Sequence, residues 1–508
     1  MGAADRRLAI ARSTHLLTGA PTMQTLPEAV VIDNPLFRAL VNQMSALSRT
    51  MLGTDATFAE VESGSLRIAN LALREHLQRD LQRRSDALGK ELLVDGKEYH
   101  QHLPGEETYH SLSGGLAVRR FTYREAGVRN GPTLVPLELV AGLVEGATPA
   151  LGYSVTLGYA QGELRAYAEA MEAAHRRLPS RSTLERLAKA IGSAAVEEAP
   201  RIEARLRRTE RVPAEAAGIS MGLDRAAVPM EEDRPENAPP KTRRKERTKP
   251  YERAKPAPVD VNYRMAYVGT VSLVDKDGEE LVTRRYTALP DAEPDDVVSR
   301  IVEDAKNALR QNGELKLVVV QDGAPEMWGA TTRGLKGAGI KRWNEIIDRY
   351  HLAERLSAAL LMVEPDAAAR KLKMTEWNED LDSSDKALDR IQTWLGEQVD
   401  KVKGQDVEEK YLGHLVYLER NQARMKYATV KRKGLPIGSG LTEGACKSVI
   451  GQRTCGSGQR WRPEGIGAVL TLRAIHRSDR LPRFWRELSK NYTAKLSNCA
   501  AEPTKAAA

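Results

Sequence analysis

Cysteine is scarce in this 508-residue chain: it occurs only at Cys446, Cys455 and Cys499, and no two of these stand in a CxxC spacing. An odd, unclustered set argues against a disulfide framework or a structural zinc site and fits a reducing compartment. Long apolar runs are missing as well. The start, MGAADRRLAIARSTHLL, holds no stretch long enough for a secretory signal and no Ser or Thr at the sixth position for myristoylation. The most apolar later stretch, residues 134–160, is broken by Glu138, Glu145 and several glycines, so a membrane span is not expected. A cytoplasmic location follows as the expectation. Nucleotide-binding signatures fail on spacing: GSGLTEG has three residues where a dinucleotide fingerprint needs two, and GLTEGACKS is not a phosphate-binding loop. No Ser-His-Asp or Cys-His nucleophile context occurs, and Cys446 is expected to pack within a helix. His100 and His102 have no second ligand pair nearby and read as surface.

What is present is charge. Lys and Arg number 77 against 69 Asp and Glu, a net charge of +8, while apolar residues make up 41% of the chain. That balance describes an ordinary globular protein with a bias toward polyanionic partners. The length allows two or three domains. Residues 1–90 read as a helical region. Residues 91–210 read as a small antiparallel sheet, on the alternation in LLVDGKEYHQHL and GLAVRRFTYREAG, followed by helices. Ser182 to Glu185 fits a capping box, and Leu184, Leu187, Ala188 and Ile191 then form one apolar face. With the helix before it this spacing suits a helix-turn-helix, or any other helical hairpin.

Residues 231–258 hold six prolines and a dense basic run that includes Arg243, Arg244 and Lys245. So few apolar residues cannot offset the entropy of ordering, so the segment is a solvated linker, a strap along a phosphate backbone, or both. Around it, residues 211–365 alternate strand and helix patterns. AAGISMGLDRAAV suggests a strand with Asp224 near its end, YRMAYVGTVSLVDKDGEELVTRRYTAL a hairpin, DDVVSRIVEDAKNALRQNG a helix, and ELKLVVVQDGA a buried strand. NEIIDRYH reads as one more strand running into a helix. Residues 366–432 look entirely helical, residues 433–490 resume after the Gly-rich PIGSG, and residues 491–508 read as a disordered tail.

Asp322 follows Leu317-Val318-Val319-Val320 and Gln321, so it stands where a buried strand leaves the core, the edge at which open α/β sheets bind ligands. A plain Asp-Gly turn is the alternative. Asp224 has the same logic on a weaker strand. Glu443 falls in the first turn of a helix, where it could equally pair with Lys447 or favour the helix N-terminus. A strand, a hairpin, a helix and a second strand, with acids ending the first and last, outline a ribonuclease-H-like sheet, and a third carboxylate from a later helix would complete a cage for two divalent metals. Such a pair activates a nucleophile and stabilises the leaving oxygen in an in-line displacement at phosphorus. Oxygen ligands suit Mg²⁺, with Mn²⁺ as a substitute.

VVVQDGAPEMW, IIDRYHLAERL and above all LPIGSGLTEGACKSVIGQRTCGSGQRW resemble the ribonuclease-H-like DDE transposases of bacterial insertion sequences, in their ISKra-type branch. ISMGLDRAAVPMEE, GAVLTLRAIHRS and the segment from Val94 to Arg124 carry the same resemblance, which thus spans most of residues 90–490. The resemblance implies a mixed α/β fold: a ribonuclease-H-like catalytic domain interrupted by an all-helical insertion and preceded by a DNA-binding region. It implies that Asp224, Asp322 and Glu443 are catalytic and hold two metal ions. Trp328 would pack or stack beside them, and Asp348, His351 and Glu354 would support the site. Lys447, Arg453 and Arg460 would contact DNA, with Trp461 packed alongside. The basic insert is unusually long for that family, which makes Asp260 the alternative first ligand. The implied reaction is cleavage at element ends followed by 3′-hydroxyl strand transfer into target DNA, in a homodimer or higher oligomer on double-stranded DNA at the nucleoid. A nuclease without strand transfer and a transposase-derived DNA-binding protein are the rival readings.

Overall fold

The computed structural model describes residue 32 and residues 34–234, 259–290, 292–492 and 496–498. The chain divides into two compact units, one holding the residues up to Leu206 together with those from Asp479 onward, the other Arg207–Ser478. This differs from the boundaries read off the sequence. Residues 1–90 and 91–210 do not separate, and the last helix belongs with the first unit, not with the segment carrying Glu443. Among the described residues no helix is long and apolar enough to cross a membrane.

The first unit opens with helices α1 (Pro35–Leu52) and α2 (Phe58–Asp86). Thr57 and Glu60 form a capping box at the start of α2, the Thr57 hydroxyl accepting from the Glu60 amide and the Glu60 carboxylate from the Thr57 amide. An antiparallel sheet follows: β1 (Glu91–Val94), β2 (Lys97–Ser111), β3 (Gly114–Glu125) and β4 (Thr133–Leu134). Gln78 and Gln82 of α2 accept from the amides of Ala117 and Arg119, which fastens the helix along β3. Helices α3 (Pro136–Ala141), α4 (Pro149–Gln161), α5 (Leu164–Ala173) and α6 (Arg181–Thr209) complete this part.

Two corrections fall here. The cap of α6 is Ser180, whose hydroxyl accepts from the Thr183 amide, not Ser182. And α6 runs for 29 residues straight through Pro200, not as the short second arm of a hairpin. The expected disordered tail is corrected too. Residues 496–498 form β10 and pair antiparallel with β1, with Leu496 packed near Leu92 and Tyr123; the rest of the tail from Cys499 lies outside the described residues.

The second unit is built on one five-stranded sheet. In chain order its strands are β5 (Gly218–Asp233), β6 (Val259–Val274), β7 (Glu280–Thr287), β8 (Lys316–Gln321) and β9 (Asn344–Ile347). Their spatial order is β7-β6-β5-β8-β9; the first three run antiparallel, and β8 and β9 lie parallel to β5. Helix α7 (Pro294–Gln311) makes the crossover to β8, and α8 (Pro325–Gly337) the crossover to β9.

The two faces of this sheet can be assigned from single residues. A Cβ on Gly269 would meet Val297 and Ile301 of α7, so the odd positions of β6 face α7. The even positions Val228, Met230, Ala266 and Val268 instead pack with Ala445, Cys446, Ile450, Ile466 and Leu470. After β9 come α9 (Arg349–Val363) and the helical segment: α10 (Ala367–Ser383), α11 (Ala387–Glu397), α12 (Glu408–Asn421) and α13 (Tyr427–Arg432). The chain then returns through α14 (Gly440–Ala445), a π-helical stretch at Cys446–Gly451, and α15 (Pro463–Arg477). Helix α16 (Leu481–Ser489) belongs to the first unit.

Candidate functional site

β8 is a run of side chains buried on both faces from Leu317 to Gln321, and the turn after it begins at Asp322. That turn is tightly held. Asp322 Oδ1 accepts from the Ala324 amide at 2.8 Å, and the Asp322 carbonyl accepts from Trp328 Nε1 at 2.6 Å. Trp328 itself is buried, with the Arg424 guanidinium 4.5 Å above its ring. Gly323 has no room for a side chain, because a Cβ there would lie 2.5 Å from the Tyr417 ring of α12. The helical segment therefore packs directly on the turn that presents Asp322.

Asp224 is not near the end of its strand, as the sequence suggested, but in the middle of a 16-residue one. What ends there is the neighbour. β8 pairs with β5 only from Gly218 to Met221, where Met221 stands opposite Val319. Continuing that register sets Asp224 level with Asp322.

Glu443 arrives from above the same face. Thr442, the residue before it, shares a 2.7 Å hydrogen bond with Thr270 of β6, which stands opposite Gly222 in the ladder. Thr442 Oγ1 fills the place of the missing Gly222 side chain, only 2.0 Å from where a Cβ would sit. Gly222 and Asp224 are two apart on one strand and so point to one face. The face that carries Asp224 is thus the face on which α14 lands.

The electrostatics agree with this convergence. Burial pushes the Asp224 carboxyl above its ordinary range, and the negative charges of Asp322 and Glu443 push it further in the same direction. The Arg225 amide, donating to Asp224 Oδ1 at 2.7 Å, and the Cys446 thiol oppose the shift. Burial together with the Asp224 charge raises the Cys446 thiol, so it stays protonated as a donor. Cys446 packs in its helix as expected, and it also touches the site.

A second group of residues meets Glu443 from the other side. Asp348 caps α9, its Oδ1 accepting from the Tyr350 amide at 2.9 Å, and it is 1% exposed. Ser439 Oγ lies 2.5 Å from Asp348 Oδ2 and 3.2 Å from Glu443 Oε1, so this hydroxyl bridges the two carboxylates. His351, one turn into α9, has Nε2 3.9 Å from Asp348 Oδ2 and Nδ1 3.3 Å from Glu354. One ligand atom each from Asp348, His351 and Glu443 all lie within 4.8 Å of one another. Lys447 Nζ stands 3.4 Å from Glu443 Oε2 and is otherwise exposed. Asp348, Ser439, Glu443 and Lys447 line an open groove of about 750 Å³ together with Tyr350, Asn378 and Asp382.

The remaining sequence candidates fall in different surroundings. Arg453, expected at a DNA phosphate, is buried, with its guanidinium 4.9 Å over the Trp461 ring. Trp461 is clamped to the far part of β5: its amide donates to the Pro229 carbonyl, its carbonyl accepts from the Glu231 amide, and its Nε1 donates to Thr454. Arg460 is exposed near Glu231 at 4.0 Å. Asp260 stands opposite Glu232 and pairs with Arg234, eight residues along the strand from Asp224, roughly 27 Å away at strand rise. It is no alternative to Asp224. His100 is exposed beside Glu98. Arg243, Arg244 and Lys245 lie outside the described residues.

Sequence reasoning placed Asp348, His351 and Glu354 in a supporting element but missed that Asp348 and His351 meet Glu443. The available signal was the spacing: an Asp cap followed three residues later by His puts both side chains on one helical turn. Gly222, Thr442, Ser439 and the thiol of Cys446 carried no signal, since their roles exist only across the sheet-helix contact.

No protein-family model matches this chain, and no curated protein sequence matches it. Among solved structures, the Drosophila P element transposase strand transfer complex is similar at 13% identity and a TM-score of 0.33, over 66% of this chain and 92% of that one.

Proposed function

We propose that the chain is a metal-dependent DNA transposase whose second unit is a ribonuclease-H-like catalytic domain with residues 366–432 inserted into it. The sheet order β7-β6-β5-β8-β9, with two antiparallel pairings followed by two parallel ones, supports that fold reading. What supports the function is that the strand register sets Asp224 level with Asp322, that α14 lands on the same face through Thr442, and that the charges of Asp322 and Glu443 both act on Asp224. Carboxylate oxygens are the donor set that hard divalent cations take, and three of them at one place suit two Mg²⁺ or Mn²⁺ ions. When bound, such ions would supply charge stabilisation at phosphorus and an activated oxygen nucleophile.

The protein's own contribution is positional. The Ala324 amide holds the Asp322 carboxylate, the Arg225 amide and Cys446 thiol hold that of Asp224, and Ser439 holds that of Glu443. Burial, with the like charges of Asp322 and Glu443 adding to it, raises the Asp224 carboxyl, a cost that a bound cation would relieve. The open groove beside Glu443, rimmed by the exposed Lys447 and Tyr350, gives a DNA strand access; double-stranded DNA is the expected partner and a homodimer or higher assembly the expected state.

The test uses DNA carrying the flanks of the chain's own coding sequence. Wild type is expected to cut it in Mg²⁺ and then join the freed 3′ ends to a second duplex, both steps stopping in chelator. Asp322→Asn is expected to bind the DNA and leave it intact. Cutting that continues undiminished in chelator, or in that variant, overturns the reading.

A further inference from the structure

Asp348 has an unusual electrostatic position. Its side chain is essentially buried, yet neither Lys nor Arg pairs with it among the described residues. Its partners are the Tyr350 amide, the neutral Ser439 hydroxyl and, at 3.9 Å, the imidazole of His351. A buried carboxylate without a counter-ion is expensive, and here a second carboxylate, Glu443, is drawn toward it through the shared Ser439 hydroxyl. Structural economy would put an arginine at such a place. The chain instead offers a ring nitrogen at 3.9 Å, and Asp348 and Glu443 both line a groove of about 750 Å³.

We propose that Asp348 Oδ2, His351 Nε2 and Glu443 form a site for one divalent transition-metal ion of the Mn²⁺ or Zn²⁺ class. This site would be additional to the ions held at Asp224 and Asp322. The donor set decides the class. Imidazole nitrogen is a good ligand for Zn²⁺ and acceptable for Mn²⁺, whereas Mg²⁺ prefers oxygen and keeps its waters. Two carboxylates supply the charge that one dication needs.

The geometry is close to what a bound ion requires. Ligands at about 2.1 Å from one ion lie roughly 3–3.5 Å apart, so the 3.9 Å separation and the 4.8 Å limit call for a contraction of about 1 Å. Side-chain rotation of the half-exposed His351 and Glu443 covers that without moving backbone. The second ring nitrogen faces Glu354 at 3.3 Å, the kind of outer partner that fixes the tautomer of a metal-bound imidazole. Lys447, now 3.4 Å from Glu443, is exposed and free to swing away when a cation arrives.

This inference shares only Glu443 with the proposed catalytic site, so the two can fail separately. The experiment titrates the full-length chain with Mn²⁺ in a large excess of Mg²⁺, following free Mn²⁺ by its paramagnetic resonance signal, with a parallel Zn²⁺ arm read by competition. Wild type is expected to retain one Mn²⁺ that the Mg²⁺ excess does not displace. Asp224→Asn is expected to retain it too, since that change affects the other site. His351→Ala is expected to weaken it at least tenfold while its circular-dichroism melt stays that of a folded protein, because His351 is only part-buried. Displacement of the Mn²⁺ by Zn²⁺ places the site at the Zn²⁺ end of the class. Retention of Mn²⁺ unchanged in His351→Ala overturns the proposal, as does displacement of all bound Mn²⁺ by Mg²⁺. If Asp224→Asn leaves both this ion and DNA cutting unaffected, the catalytic reading fails and the His351 site stands.

Discussion

Gly222→Ala adds a single methyl group at a position that touches no proposed ligand. Its Cβ would sit 2.0 Å from Thr442 Oγ1, 2.9 Å from the Val320 carbonyl oxygen and 3.0 Å from Thr442 Cβ. Ordinary contact begins near 3.4 Å, so the hydroxyl must withdraw by about 1.4 Å. Rotating Thr442 away breaks its buried bond to Thr270 and still leaves its Cβ too close. Lifting α14 instead carries Glu443 with it. Overpacking of this kind costs about 1–3 kcal/mol. A displacement of about 1 Å at a reacting centre lowers rate on the order of 100-fold. The variant is therefore expected to unfold at lower denaturant than wild type and to cut DNA about 100-fold more slowly, while binding DNA normally. Gly413→Ala, on an exposed face of α12 with open space around it, is the control and is expected to stabilise by ~0.5–1 kcal/mol. Wild-type cutting rate and unfolding midpoint in Gly222→Ala would refute the claim that this glycine sets the height of Glu443 above the sheet.

Asp224→Asn and Glu443→Gln are each expected to abolish cutting in an end-cleavage assay without loosening DNA in a gel-shift assay. Arg424→Ala removes the cation above Trp328 and the 2.7 Å ion pair to Glu345; a loss of about 1–3 kcal/mol is expected by urea titration, together with slower cutting because Trp328 holds the Asp322 turn. Burial raises the Glu138 carboxyl, against the 3.0 Å hydrogen bond it accepts from Tyr109. An acid raised on folding is penalised when charged, so the penalty is full above its folded pKa and gone below the ordinary value of 4.5. Glu138→Gln is accordingly expected to raise the urea midpoint at neutral pH, with the gain vanishing as the pH falls below that value. Deleting residues 493–508 strips β10 from the edge of β1 and exposes the Leu496 contact; a loss of about 2 kcal/mol and a tendency to self-associate are expected by thermal melting and light scattering.

The centre of the second unit's sheet was legible because β8 is a short apolar run with an abrupt polar end. Asp322 is the clearest instance: four aliphatic residues and Gln321 lead to it, and its position needs no tertiary information. Asp224 was harder to place, because β5 outruns its parallel partner. The strand continues to Asp233 against β6 alone, so the functional level is set by where β8 stops, which the sequence of β5 does not contain. The cap of α6 was misplaced by two residues because Ser180, Ser182 and Thr183 all carry hydroxyls, and only the fold selects Ser180. α6 also runs on well past the short apolar face read at Leu184–Ile191, continuing through Pro200 to Thr209. The tail strand was invisible because three residues, Leu496 to Asn498, have no periodicity to read. The meeting of Asp348 and His351 with Glu443 spans about ninety residues of chain, and no local pattern reports a contact of that range.

β5 and β6 end on the pair Asp233 and Val259, so the polypeptide between them departs from and comes back to a single point on the ribbon. Because the ladder's own pairs, and not its tip, hold Asp224 opposite Val268, nine residues from the last pair, a change of sequence beyond Asp233 leaves the level of Asp224 on the sheet untouched.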